Sequence, residues 1–313
     1  MAIFTAGVAG VNFDDLQVGD LLLGAVVSAT PTSFVLVDGP WREEFSGQFT
    51  YSNNEISGGT VTGWRELLNG QTVFNVQGFS VPATTFITWA ATNNNETARQ
   101  TIFGGSDTFN GSDAADRMYG YAGNDTLIGA GGSDYLRGGD GDDSLSGGAA
   151  FDDLHGNIGN DTVDGGLGSD WVVGGQGNDL LRGGDDASDD VVYGNLGDDT
   201  CFGGDGIDWV RGGQGDDSLS GGGGADLIWG DRGNDTISGG AGADIFSIFG
   251  EAGIDRILDF SVAEGDRLRI EAGYTYTTAQ VGADVVVTLS GGAQAVLVGV
   301  DLNALGSGWI ITG

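Results

Sequence analysis

Aspartates recur along the middle of this chain at nearly fixed spacing. Asp107, Asp116, Asp125, Asp134, Asp143, Asp152, Asp161, Asp170 and Asp179 stand nine residues apart. An eleven-residue step then reaches Asp190, and the nine-residue spacing resumes through Asp199, Asp208, Asp217, Asp226, Asp235 and Asp244. Each Asp follows a glycine-rich run, so its carboxylate arrives together with exposed loop carbonyls. That is the chemistry of a hard divalent cation: Ca2+ takes six to eight oxygen ligands, from carboxylates and carbonyls alike. A solvated acidic surface is the ordinary reading of an acid-rich segment, but it gives no reason for periodic Asp within glycine loops.

The elements that must position these carboxylates follow from the full repeat. Gly174–Arg182 reads GGQGNDLLR and Gly212–Ser220 reads GGQGDDSLS. Both fit Gly-Gly-x-Gly-x-Asp-x-U-x, with U a large apolar residue; this nonapeptide is a calcium-binding parallel β-helix repeat. Every row from Asp107 to Asp244 carries an apolar residue two places after the Asp, from Phe109 to Phe246. The first six positions need tight turns, which glycine permits. Positions seven to nine form a short strand, with the eighth side chain pointing in and the seventh and ninth pointing out. Two rows then make one turn of a flattened roll with two parallel sheets. At about 4.8 Å per strand, eight strands per sheet give a roll roughly 40 Å long. Its core is a single thin layer, weak against the ordering entropy of so many glycines. Rows of unneutralised Asp would also repel one another. The repeat is therefore expected to be disordered without calcium and folded with it.

This pattern resembles the RTX family of secreted bacterial proteins, among them toxins, proteases, lipases and adhesins. The resemblance implies a calcium-loaded β-roll, export in an unfolded state by a type I secretion machine, and folding outside the cell. It also implies that sixth-position Asp carboxylates and loop carbonyls ligate the metal. Full GGxGxD loops carry this over to Asp143, Asp170, Asp179, Asp208, Asp217, Asp226 and Asp244. Loops with one glycine replaced or shifted carry it to Asp125, Asp134, Asp161, Asp199 and Asp235, and the lengthened row to Asp190. Asp107, Asp116 and Asp152 stay outside the implied ligand set. Ala114 and Ala150 replace the fourth glycine of two of those rows, and the first row lacks its opening glycines.

Composition narrows the function further. The chain has 313 residues and a formal net charge of −34. Between Gly104 and Ser247 there are 28 Asp, no Glu and 5 Arg, which argues against nucleic acid as a partner because phosphates require a basic footprint. There is no lysine at all. Cys201 stands at an inward apolar position and reads as a small buried hydrophobe. The N-terminus, MAIFTAGVAGVNFDD, lacks the basic and apolar regions of a cleaved secretory signal, and no run is long enough for a membrane helix. The RTX resemblance implies an uncleaved C-terminal export signal instead.

Three segments are expected: a β-rich module over 1–101, the roll over 102–247, and a cap with the export signal over 248–313. In the first, Phe34–Val37, Gln48–Tyr51, Gly59–Thr62 and Thr72–Val76 read as strands. Asn69-Gly70 marks a hairpin between Trp64–Leu68 and Gln71–Val76, in a small antiparallel sandwich. A short helix is expected over Pro82–Ala91. FTYSNNEISGGTVTGW resembles a preamble to RTX arrays, and IDRILDF with GDRLRI resembles the segment that closes them. Val285–Ser290 and Ala293–Val300 predict a hairpin across Gly291-Gly292. The fold class is thus all-β: a calcium-loaded parallel β-roll with a small N-terminal β-sandwich-like module and a β C-terminal cap.

Row parity sorts the outward residues of the roll. Odd rows present mostly Ser and Thr, with Ile128, Leu180, Arg182 and Phe202 as exceptions. Even rows present Arg117, Tyr119, Tyr135, Arg137, Trp171, Val173, Val191, Tyr193, Trp209, Arg211, Leu227, Trp229 and Ile245, interrupted by Asp153 and His155. Exposed apolar patches mark interaction sites, and Tyr, Trp and Arg are the residues enriched there. The occupant of that face is either the chain's own flanking modules or a second molecule.

Catalytic signatures are missing. There is no H-E-x-x-H and no G-x-S-x-G, so neither an RTX metalloprotease nor an RTX lipase is expected. The single histidine, His155, lies at an outward strand position, and Glu43-Glu44, Glu55 and Glu66 read as solvated carboxylates. The expected function is non-enzymatic: a secreted or cell-surface calcium-binding subunit of a layer, fibre or matrix. It would self-associate through Tyr119, Tyr135, Trp171, Tyr193, Trp209 and Trp229. The alternative is an adhesin or carbohydrate-binding module for a surface polysaccharide, or an auxiliary module of a polysaccharide-modifying enzyme system.

Overall fold

The computed structural model describes residues 3–6, 25–30, 33–38, 41–52, 55–68, 71–82, 85 and 95–313. The chain divides into two compact units, Met1–Gly147 and Gly148–Gly313, so the division falls inside the repeat array.

The first unit opens with β1 (Ile3–Ala6), β2 (Ala25–Thr30), β3 (Ser33–Asp38), β4 (Trp41–Ser52), β5 (Glu55–Leu68) and β6 (Gln71–Pro82). Strands β2 to β6 form an antiparallel meander, and β1 adds to β6. The four strands expected here fall within β3, β4, β5 and β6, and the hairpin closes with Leu68 opposite Gln71. The expected sandwich takes the form of one continuous sheet. Register shifts at Ser46/Gly47, Thr50/Tyr51 and Val61/Gly63 mark bulges, which bend and twist long strands. Phe45, Val61, Trp64, Val76, Phe79 and Val81 are buried in it, with the Phe45 and Trp64 rings stacked at 6.2 Å.

Of the helix expected over Pro82–Ala91, Pro82 belongs to β6, and all of the rest but Thr85 lies outside the described residues. A described helix, α1, spans Asn95–Ile102. The next residue, Phe103, is buried against Phe109 (5.3 Å) and Tyr121 (6.4 Å), so this turn covers the open end of the first rung. In this unit β1 pairs in parallel with Thr108–Asn110, the first strand of the roll, and that strand pairs with Thr126–Ile128. The facing sheet holds Arg117–Ala122 and Tyr135–Asp140.

The second unit repeats the same two-sheet plan, with every row parallel to the row two before it. Thr162–Leu167, Leu180–Gly184, Thr200–Asp205, Ser218–Gly224 and Thr236–Gly242 build one sheet. Asp153–Ile158, Trp171–Gln176, Val191–Leu196, Trp209–Gln214, Leu227–Arg232 and Ile245–Ile248 build the other. Parity thus sorts the rows between sheets as the period requires. No eighth-position side chain from Phe109 to Phe246 is more than 3% exposed. The eleven-residue row keeps register, since Val191 and Val192 still face Trp171 and Val172.

The end of the second unit is closed by apolar contact and by added strands. Phe260 lies between Phe246 (5.9 Å) and Trp309 (6.1 Å). Gln294–Leu297 extends the first sheet beyond Ile254–Ile257, and Ile310–Thr312 extends the second beyond Arg267–Ile270. The hairpin expected across Gly291-Gly292 forms between Asp284–Leu289 and Gln294–Leu297.

Candidate metal centre

Within each unit the sixth-position carboxylates form ladders along the two edges of the stacked rows. In the second unit the Asp152 N–H donates to Asp170 Oδ1, and the chain of donors continues through Asp190, Asp208, Asp226 and Asp244 at 2.8–2.9 Å. On the opposite edge the same bond runs from Asp161 through Asp179, Asp199 and Asp217 to Asp235 at 2.8–2.9 Å. In the first unit Asp107 donates to Asp125, Asp116 to Asp134, and Asp125 to Asp143, at 2.7–2.8 Å. All thirteen predicted carboxylates occupy these rungs, and none is more than 3% exposed.

One oxygen of each carboxylate is thereby used. The other, Oδ2, is buried without a hydrogen-bond partner at Asp125, Asp170, Asp179, Asp190, Asp199, Asp208, Asp217, Asp226, Asp235 and Asp244. It leans over the first glycine of its own loop: a Cβ on Gly174 would stand 2.1 Å from Asp179 Oδ2, and one on Gly212 2.1 Å from Asp217 Oδ2. The loops stack too closely for side chains as well. Gly177, at φ +121°, would place a Cβ 2.0 Å from the Gly159 carbonyl. Burial pushes the carboxyls up, to about 8 at Asp170 and Asp217, about 7 at Asp125, Asp179, Asp190 and Asp226, and about 6 at Asp199, Asp208 and Asp244. The backbone N–H opposes this rise, and neighbouring carboxylates add to it.

A buried row of orphaned anionic oxygens beside stacked carbonyls fits Ca2+, which would satisfy the oxygens and neutralise the charge. Among the described residues no three His, Cys, Asp or Glu side chains converge on one point. The ladder Asp carboxylates would hold the ion with loop carbonyls completing its shell.

Each unit has a terminal rung that differs. Asp116 Oδ2 accepts the Ser112 N–H at 2.7 Å and its hydroxyl at 3.1 Å. In the second unit Asp244 donates to Asp266 Oδ1 at 3.1 Å, and Asp266 Oδ2 accepts the Ser261 N–H at 2.7 Å. Serine thus stands where a cation would otherwise be needed. The expected outcome is that Asp116→Asn leaves calcium stoichiometry unchanged. Asp217→Asn lowers the stoichiometry and raises the calcium midpoint of folding by about tenfold, the scale of one lost charged ligand. Metal analysis of dialysed protein together with a calcium titration checks both.

Asp255 and Asp266 are rungs that the repeat pattern did not reveal. The Asp235 N–H donates to Asp255 Oδ1 at 3.3 Å, Asp255 is 3% exposed, and burial followed by the Asp235 charge raises its carboxyl. The available signal was the spacing: Asp244, Asp255 and Asp266 lie eleven residues apart, the step already seen before Asp190, and Ile257 and Leu268 follow two places later. A second ladder, which the repeat pattern does not announce, stands at the fifth position. Asn160, Asn178, Asp198, Asp216 and Asn234 each accept, through Oδ1, the backbone N–H of the fifth residue two rows on, at 2.8–3.2 Å. It runs opposite in sense to the sixth-position ladder, so adjacent loops are fastened from both sides.

The remaining candidates for chemistry lie elsewhere in the fold. Cys201 is fully buried, and burial pushes its thiol well above the usual range, which keeps it protonated and unreactive. His155 Nε2 lies 3.1 Å from Asp153 Oδ1 on the even sheet. The backbone register sets Glu43 opposite Glu66, Glu44 opposite Arg65 and Glu55 opposite Ser52.

Within each unit the aromatic residues of the even rows lie on the even-row sheet. In the first unit Arg117 and Arg137 sit 4.0 and 3.5 Å over the Tyr135 ring. In the second, Trp171 and Trp209 are 46% and 49% exposed, while Trp229 packs against Trp209 and beneath Arg269. Beside them an open groove of about 960 Å3 runs across Asn157, Gly175, Asn195 and Gly213, walled by Tyr193, Arg211 and Asp231. No helix among the described residues is long and apolar enough to cross a membrane.

Comparison with known proteins gives a matching family. The RTX calcium-binding nonapeptide repeat matches residues 101–136, 137–172, 164–201, 173–210 and 211–246. Curated protein sequences give no significant match. Among solved structures, the extracellular lipase LipA from Serratia marcescens is similar at 20% identity and a TM-score of 0.34, covering 58% of this chain and 40% of the lipase chain. The AlgE6R3 subunit of the Azotobacter vinelandii mannuronan C5-epimerase is similar at 27% identity and a TM-score of 0.21, covering 43% of this chain and 79% of that subunit.

Proposed function

The chain is an RTX calcium-binding repeat protein over residues 101–246, and from that premise we propose that it is a secreted, non-enzymatic structural subunit. In this reading calcium folds the roll outside the cell, and the folded roll then assembles. The observation that carries the calcium step is the row of buried Oδ2 atoms without partners along both edges. Residues 1–101 act as an N-terminal module, and residues 248–313 as cap and type I export signal. The assembly step rests on Trp171 and Trp209, each half exposed on a regular parallel sheet with Val191 between them in register. Tyr193 and Trp229 extend that surface in the second unit, and Tyr119 and Tyr135 are the even-row aromatics proposed for the contact in the first.

A calcium titration followed by circular dichroism and light scattering together tests the proposal. Rising β-structure with rising particle size supports it; β-structure in a particle that stays monomeric removes the assembly step. The double variant Trp171→Ser, Trp209→Ser is expected to fold with calcium and to remain monomeric, with association weakened by at least about a hundredfold, the scale of two aromatic anchors. Association unchanged in that variant shows that another surface makes the contact.

A second reading draws on the groove over Gly175 and Gly213, where amides, Tyr193 and Arg211 line an open channel. Amides and aromatic rings suit a surface polysaccharide. A calcium-loaded monomer that binds glycans without polymerising favours this alternative.

A further inference from the structure

Resting on the calcium reading above, the strongest departure from regularity in the second unit is the loop before Asp190. Gly183-Gly184-Asp185-Asp186-Ala187-Ser188-Asp189-Asp190 stands where the other rows have six residues. The insertion does not break the stack. A Cβ on Gly206 would meet the Ser188 carbonyl at 2.1 Å, as one on Gly215 would meet the Gly197 carbonyl at 2.0 Å, so Ser188 takes the place of the fourth glycine. Asp190 keeps its rung, accepting from the Asp170 N–H and donating to Asp208 Oδ1, both at 2.8 Å. Asp189 likewise accepts the Ile207 N–H at 2.9 Å, as a fifth-position residue does.

What the two extra residues add is a carboxylate. Asp186 Oδ2 accepts the Ser188 hydroxyl at 2.9 Å, which fixes the group in place. Its Oδ1 is buried and has no hydrogen-bond partner, and so is Oδ2 of Asp190. The two oxygens lie beside neighbouring glycines of this loop. A Cβ on Gly184 would stand 3.5 Å from Asp186 Oδ1, and one on Gly183 2.6 Å from Asp190 Oδ2. Among the described residues, Asp186 is the loop acid outside the sixth position with such an oxygen. Asp205, at the third position of the next row on this edge, is exposed instead. Asp186 also adds its charge to Asp170, Asp190 and Asp208, three successive rungs of this edge.

We propose that the insertion builds a distinct cation site from Asp186, Asp190 and the surrounding loop carbonyls, one that takes Ca2+ more tightly than the regular rows and fills first. Calcium affinity is tuned by the number of charged ligands and by rigidity. The site has one more carboxylate than a regular row, held by Ser188. It stands between Trp171 and Trp209, so rows on either side stack onto a rung that is already ordered. Folding at limiting calcium therefore starts here, with residues between Asp170 and Asp208 ordered before the ends of the array.

Isothermal titration of Ca2+ into the chelator-treated full chain tests this, with Asp186→Asn beside Asp185→Asn. Asp185 is exposed and controls for the loss of one charge. Wild type and Asp185→Asn are expected to show a first class of sites roughly tenfold tighter than the rest, the scale of one added charged ligand. Asp186→Asn loses that class and keeps the later sites and the far-ultraviolet spectrum at saturating calcium. An Asp186→Asn isotherm that superimposes on that of Asp185→Asn overturns the inference and leaves the calcium reading intact. No calcium uptake by wild type overturns both. If Asp186→Asn does not fold at saturating calcium, Asp186→Glu decides: the tight class retained supports the site, and its loss overturns it.

Discussion

Stripped of calcium at neutral pH, the chain loses the parallel strands between Thr108 and Ile248, and acidification to about pH 4 restores them without metal. The expectation follows from the direction of the carboxyl shifts. Asp170 and Asp217 are pushed up to about 8, and Asp179, Asp190 and Asp226 to about 7, mainly by burial. The same groups titrate near 3.9 in an unfolded chain. A carboxyl that holds its proton more tightly in the fold favours the fold fully below the unfolded value. That contribution is lost as pH rises through the folded value. The metal-free roll is therefore supported at about pH 4 and abandoned as pH climbs from about 6 to about 8. Calcium removes the conflict at neutral pH by satisfying the charge that burial opposes. Circular dichroism of the chelated chain between about pH 4 and pH 8 checks this, with light scattering to separate folding from precipitation near the isoelectric point of about 4.1. A chelated chain that stays folded at neutral pH, or stays unfolded in acid, would show that the buried carboxylates do not control the transition.

The roll was legible because each row repeats both halves of its own instruction. Asp208 and Val210, or Asp217 and Leu219, state the loop and the inward strand residue together, and the nine-residue period alternates the sheets without further information. The lengthened row was readable for the same reason, since Val192 keeps its distance from Asp190. The nine-residue period ends at Asp244 because Ile248 and Phe249 precede the next loop, Gly250-Glu251-Ala252-Gly253, so that its Asp comes two residues late. Yet Gly253 stacks on the carbonyl of Gly233 as the regular glycines do. The serines that occupy Asp116 and Asp266 were illegible for a different reason. A serine near an acid is common in any loop, and only the folded loop decides whether its N–H points at the carboxylate. The first unit shows the same limit at larger scale. Local residue types located β3 to β6, but the pairings of β1 with β6 and with Thr108–Asn110 join segments far apart in sequence. No periodicity announces them.

One methyl group at Gly204 is expected to divide the roll. The second glycines on the ends of the odd-row strands form an unbroken column: Gly166, Gly184, Gly204, Gly222 and Gly240. Gly204 has φ +126°, and a Cβ there would stand 1.7 Å from the Gly184 carbonyl. Neither the conformation nor the space accepts Ala, and the carbonyl it meets is backbone that cannot turn aside. The column on the opposite edge alternates instead. Asn157, Asn195 and Asp231 have φ of +82°, +82° and +71°, within reach of the left-handed region that Asn and Asp tolerate, with Gly175 and Gly213 between them. Gly204→Ala therefore forces the rows at Asp190 and Asp208 apart at a cost of roughly 3 kcal/mol, the upper range for a single strained residue. Asn195→Gly, at the corresponding place on the other edge, changes stability by less than about 1 kcal/mol. Because each row contacts only its stacking neighbours, the damage does not spread evenly. Gly204→Ala is expected to split the single calcium-induced transition into two, with limited proteolysis cutting near residues 184–204. A single unshifted transition in that variant would mean that the stacked glycine carbonyls do not couple the rows.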